Sequence, residues 1–119
     1  MTFECLYPEL LALVSEVGAR PDVPLESEIF FTDIIEAFPS SKEECLAYIR
    51  SNLQQWFRCI GSLPEWIQDA DWPFSEGKPM IFVGQTEVPP GTIWFHDTAF
   101  FYHFWNADTG ETRSIIQVS

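Results

Sequence analysis

Basic residues are scarce in this chain: six Lys and Arg stand against eighteen Asp and Glu, for a formal net charge of −12. Gripping a nucleic-acid backbone takes clustered cations that displace its counterions, so this scarcity excludes that class of partner. The deficit is even, with ten acids against four bases in residues 1–60 and eight against two in 61–119, so neither half is an acidic tail. Such acidity keeps a protein dissolved, and it also steers a basic partner toward the surface.

Cysteine is sparse as well. Cys5, Cys45 and Cys59 form an odd set without a CxxC pair, which does not suit a secreted disulfide framework. If Cys45 and Cys59 share one helix, their spacing sets them roughly 21 Å apart, beyond disulfide reach. A reducing, cytoplasmic setting is expected. A cysteine nucleophile needs a base and electropositive surroundings. Cys45 instead falls on an apolar stripe, so catalysis by these thiols is not expected. Long apolar runs are missing too: Glu4 comes early and Leu10–Val14 is only five residues, so neither a signal segment nor a membrane span is expected.

The chain has no glycine-rich phosphate loop, HExxH, nucleophile elbow or P-loop lysine motif, which weighs against an enzyme. No catalytic residue and no cofactor is assigned. The metal candidates are His96 and His103 with Asp97. With a two-residue turn at Asp97 and Thr98 the two imidazoles stand roughly 13 Å apart, too far for one ion; a wider loop would relax that geometry. His103, in an aromatic strand, reads as a hydrogen-bonded core residue and His96 as a turn residue, so no metal is expected.

What the chain does have is apolar and aromatic bulk. Hydrophobic residues make up 46% and aromatics 16% of 119 residues, with five Trp and eleven Phe, enough for one domain with a single core. Pro8 suits the first turn of a helix whose stripe is Leu10, Leu11, Leu13, Val14 and Val17, ending at Gly18. Residues 19–27 read as a loop. Glu28–Phe38 is ambiguous: Ile29, Phe30 and Phe31 favour a strand, whereas Thr32 or Asp33 could cap a short helix, the preferred reading. Ser41 and Glu44 then fit a capping box for a helix over about 42–60. Its stripe is Cys45, Ile49, Leu53, Trp56 and Ile60, its stop Gly61, and it should lie across one face of a sheet.

The clearest strand is Met80–Val88. Met80, Phe82, Gly84, Thr86 and Val88 alternate with Ile81, Val83, Gln85 and Glu87. Further strands are expected at Thr92–Phe95, at Ala99–Trp105, apolar on both faces and so central and doubly covered, and at Arg113–Val118 after a turn within Asn106–Glu111. The fold class is α+β: N-terminal helices (1–61) packed on a C-terminal antiparallel β-meander of about four strands (78–119). The joining stretch, residues 62–77, holds two Trp, two Pro and the acids Glu65, Asp69, Asp71 and Glu76, an unusual mixture for a mere linker. Gln68, Gln85 and Gln117 each adjoin bulky apolar residues. Structurally they would tie backbone across strands and loop; functionally they would line an aromatic cleft with Trp66 and Trp72.

The succession Pro64–Gln68, Trp72–Pro73, Gly77–Met80, Phe82–Gln85, Asp97–Thr98, Tyr102–Trp105, Thr109–Glu111 and Ile115–Gln117 resembles the YwqG-like family of bacterial proteins of unknown function. Related sequences often carry a zinc-type CxxC just before the Gly-Lys-Pro-Met. Here those positions are Pro73 and Glu76, so the resemblance implies no zinc. It does imply an α+β fold, and some similar proteins occur near secreted toxin systems, where small acidic partners neutralise basic toxins. Three functions are therefore weighed. The first is a non-catalytic cytoplasmic interaction protein, in its specific form an immunity-type partner of a basic toxin, meeting it through Glu65–Glu76. The second is a small-ligand module built on Trp66, Gln68, Trp72, Gln85 and His96. The third is a hydrolase using His96 and Asp97.

Overall fold

The structure, a computed structural model, describes residues 1–91 and 97–119. The expected strand at Thr92–Phe95 and His96 lie outside the described residues. Three helices come first: α1 (Phe3–Ser15), α2 (Leu25–Ala37) and α3 (Lys42–Trp56). Then follow the short strands β1 (Phe74–Ser75) and β2 (Lys78–Pro79), and the longer β3 (Ile81–Val88), β4 (Ala99–Trp105) and β5 (Thr112–Val118). The longer strands form an antiparallel sheet in the order β3-β4-β5, and β1 and β2 pair as a separate hairpin. The α+β class is as expected. None of the described helices is long and apolar enough to cross a membrane.

Each helix corrects a boundary. α1 begins at Phe3, where the Thr2 hydroxyl accepts from the Cys5 N–H at 3.3 Å, so Pro8 lies inside it rather than in its first turn. The backbone bond Pro8 cannot make would fall on the Glu4 carbonyl, and Glu4 is on the exposed side of the helix. α2 occupies all of Leu25–Ala37, so Thr32 and Asp33 are mid-helix and Ile29–Phe31 are not a strand. Its buried positions are Ser27, Phe31 and Ile35, a spacing of four hidden from a hydrophobicity scan because its first member is a serine. That serine is satisfied by donating to the Arg20 carbonyl at 2.7 Å.

Ser41 does cap α3, its hydroxyl accepting from the Glu44 N–H at 3.3 Å. The helix stops at Trp56, however, and does not run to Ile60. The reason is a partner far along the chain. The Phe82 N–H donates to the Arg58 carbonyl at 2.9 Å and the Ile60 N–H donates to the Phe82 carbonyl at 3.0 Å, so Arg58–Ile60 run extended along β3. Ile60 is consequently exposed, and Cys59 is not on the helix that carries Cys45.

An aromatic layer joins the helices to the sheet. Phe31 of α2 stacks on Phe57 with ring centroids 6.0 Å apart, Phe57 meets the edge of Trp72 at 5.3 Å, and Trp72 meets Phe104 of β4 at 5.3 Å. Around this layer the buried core runs from Leu6, Leu10 and Val14 of α1 through Ile49 and Leu53 of α3 to Phe82 and Tyr102. β4 is central, as expected, yet the helices cover only one of its faces. Tyr102 and Phe104 point into the core, whereas His103 is half-buried and Trp105 exposed.

Candidate functional site

Strand β3 sets the geometry of the joining loop. Phe82 pairs with Phe104, but the next partner of His103 is Gly84, so Val83 is an extra residue, a β-bulge. A bulge reverses the alternation beyond it. Gln85 therefore opposes Tyr102 on the helix-side face with Phe82, while Thr86 goes to the other side, contrary to the alternation expected from the sequence. Within β4 and β5, Tyr102 pairs with Ile115, and Gln117 falls on that same face opposite Phe100.

One side chain from each strand thus reaches the loop. Gln85 Oε1 accepts from the Glu65 N–H at 3.0 Å. The Tyr102 hydroxyl donates to the Glu65 carbonyl at 3.0 Å and accepts from the Ile67 N–H at 3.2 Å. Gln117 Oε1 accepts from the N–H groups of Ile67 at 3.1 Å and Gln68 at 3.0 Å, and its Nε2 donates to the Asp69 carbonyl at 2.9 Å. Gln68 returns a bond to the sheet, its Nε2 donating to the Val118 carbonyl at 2.9 Å. A loop without its own ladder has its backbone groups satisfied this way. The three glutamines therefore tie backbone across strands and loop. Trp66 completes the strap: it is half-buried and its Nε1 donates to the Gly18 carbonyl at 2.6 Å.

The other candidates disperse. Trp72 has no exposed surface and its Nε1 donates to the Met80 carbonyl at 2.8 Å, so it offers nothing to a ligand or partner. Glu65 and Gln85 border one surface depression; Gln68, Asp69 and Asp71 border a second with Val23 and Ile116; Glu76 lies in a third. Glu76 and Gly77 both have positive φ, 55° and 73°, forming the tight turn of the β1-β2 hairpin, an element unforeseen in the loop. The chain from Glu65 to Glu76 is thus divided among three depressions.

The charge distribution follows from the composition. Only Glu9, Asp22, Asp69 and Glu111 of the eighteen carboxylates lie within ion-pair distance of a cation among the described residues. Arg20 holds Asp22 with a 3.1 Å bond and draws its carboxyl below the usual range, assisted by the Tyr7 hydroxyl. Asp69 stands 3.6 Å from the same guanidinium and is largely exposed. Burial pushes the Cys45 and Cys59 thiols up, away from the thiolate that nucleophilic work needs. Among the described residues no group of three or more His, Cys, Asp and Glu could hold a metal ion.

A polar row on the face of the sheet away from the helices has no counterpart in the sequence pattern. Thr86 Oγ1 lies 3.0 Å from His103 Nε2, and Ser114 Oγ lies 3.0 Å from His103 Nδ1. A hydroxyl on each ring nitrogen satisfies the imidazole, and no carboxylate completes the row as an acid–base relay among the described residues. It is a tie across three strands. Its signal was present only in the bulge, which brings Thr86 to the side of His103. Comparison with protein-family models, with curated proteins and with solved structures found no match.

Proposed function

We propose that this protein is a non-catalytic, cytoplasmic interaction protein that receives a basic partner, in its specific form an immunity-type partner of a basic toxin. The observation that carries this reading is the surplus of carboxylates with no cation of their own, which leaves the surface charge available to another molecule. The depression bordered by Gln68, Asp69 and Asp71 against Ile116 is the part of the joining loop that suits a Lys or Arg side chain. The Asp71 carboxylate, unpaired among the described residues, would take its head, with Asp69 beside it shared with Arg20, and an apolar wall would take its stem. The resemblance to the YwqG-like family, some of whose relatives occur near secreted toxin systems, supports the same reading.

Affinity capture from the producing cells at low ionic strength tests it. The expected result is a basic protein whose retention falls as salt rises. Asp69→Asn and Asp71→Asn should each weaken the complex by about two- to fivefold, as befits exposed charges. Recovery of no basic partner would overturn the proposal. The small-ligand reading around Trp66, Gln68, Trp72, Gln85 and His96 has less behind it, because Trp72 is buried and the glutamines are engaged with backbone. The hydrolase reading has only the adjacency of His96 and Asp97.

A further inference from the structure

Cations are few in this chain, so where the unpaired ones sit is informative. Arg20, Lys42 and Arg113 are in ion pairs, whereas Arg50, Arg58 and Lys78 have no carboxylate within pairing distance among the described residues. Arg58 and Lys78 line the same cleft, about 470 Å³ in volume, between the end of α3, the β1-β2 hairpin and the β4-β5 turn. Backbone bonds hold both positions. The Arg58 carbonyl accepts from Phe82, and Lys78 is in register with Ser75.

The same cleft is walled by aromatic rings. Trp56 stands edge-on to Phe30 with centroids 5.4 Å apart, and Trp105 keeps 36% of its surface exposed. Two other polar groups in the wall are already used, since Asn106 Nδ2 donates to Ser75 Oγ at 2.9 Å and the Ser75 hydroxyl donates to Glu111, while Gln55 is an exposed amide at its rim. Two carboxylates, Glu76 and Asp108, also line the cleft, both on exposed turns. They balance the two cations and make the cleft formally neutral in a chain of −12. A polyphosphate would meet repulsion there from these carboxylates and from the rest of the surface. A single carboxylate would find two unpaired cations, with the aromatic side chains of Phe30, Trp56 and Trp105 lining the same cleft.

We propose that this cleft binds a small aromatic monocarboxylate, its ring against Trp56 and Trp105 and its carboxylate on Arg58 and Lys78. The proposal is independent of the basic-partner reading, since it uses a different face and the opposite charge. It is tested on the full chain by calorimetry and by the indole N–H signals in NMR, with indole-3-acetate as probe and indole-3-acetamide as its uncharged counterpart. Indole-3-acetate binds with Kd on the order of 0.1–1 mM, as expected for so small a ligand. It shifts the indole signals of Trp56 and Trp105 and leaves those of Trp66 and Trp72, which are bonded internally, in place. The amide binds at least about tenfold more weakly. Arg58→Gln with Lys78→Gln, both exposed positions, raises Kd by about tenfold or more at unchanged Tm, and Glu76→Gln lowers it by about two- to threefold. Absence of saturable binding, equal binding of the amide, or full affinity in the double variant would each overturn the proposal.

Discussion

Trp66 lies stacked on Tyr102, ring centroids 4.3 Å apart and planes inclined by 28°. The indole belongs to a loop and the phenol to the central strand, so this contact presses one onto the other while the Tyr102 hydroxyl bonds the loop backbone on either side of Trp66. Apolar contact and hydrogen bonding act at the same point.

The two functions of Tyr102 separate in Tyr102→Phe. The ring stays, but the Glu65 carbonyl loses its shorter bond and keeps only the donation from Gln85 Nε2 at 3.4 Å, while the Ile67 N–H keeps Gln117 as acceptor. A loss of about 1–2 kcal/mol is expected, measured by urea denaturation. Gln117→Leu removes the acceptor of two N–H groups and the donor to Asp69 at once, and should cost more, about 2–4 kcal/mol. No measurable loss in either variant would show that the loop is held by stacking rather than by these bonds.

Trp72→Ala should be the most damaging single change. The side chain is wholly buried between Phe57, Phe82 and Phe104, and its N–H is bonded to Met80. Truncating such a residue leaves a cavity and costs about 3–5 kcal/mol, a large part of the total stability of a domain this size. A thermal melt within a few degrees of the parent protein would contradict the burial described.

Glu76→Asn should stabilise the protein. Glu76 has φ of 55° in a two-residue turn followed by Gly77, and asparagine tolerates that left-handed conformation better than glutamate does. A gain of about 0.5–1 kcal/mol is expected from denaturation midpoints. No gain would mean that the Glu76 side chain contributes as much as the turn geometry loses.

The Arg20–Asp22 pair makes stability depend on pH. The guanidinium holds the folded-state carboxyl below its unfolded value of about 3.9. A depressed carboxyl stabilises the fold above the unfolded value and ceases to do so as pH falls through the folded one. The stability difference between the parent protein and Arg20→Gln should therefore be full at about pH 6 and shrink below about pH 4. A difference independent of pH would assign the contribution of Arg20 to its other contacts.

The candidate site was legible in part. That Gln85 and Gln117 tie backbone follows from bulky apolar neighbours around an amide that must find partners, and the structure supplies those partners. The aromatic cleft with Arg58 and Lys78 was not legible, because its walls come from α2, α3, the β1-β2 hairpin and the β4-β5 turn, segments with no local pattern in common. The bulky apolar residues of the joining stretch suit either packing against the body or a binding surface, and for Trp72 only the fold decides, burying it completely.

By itself the sequence determined the α+β order, the start of α3 at its Ser41 cap, the positions of β3, β4 and β5, and the turn at Asn106–Glu111. These depend on side-chain periodicity and on hydrogen bonds between residues a few positions apart, which any short window contains. The tertiary structure alone decided that α3 stops at Trp56, that Val83 is a bulge and that α2 fills Leu25–Ala37. In the first case the backbone of Arg58–Ile60 found a better partner in Phe82 than in its own helix; in the second, strand pairing with β4 moved half of β3 to the opposite face; in the third, packing against the core outweighed the strand preference of Ile29–Phe31. Each outcome is a competition between local preference and a partner distant in the chain, and only the folded protein brings that partner near.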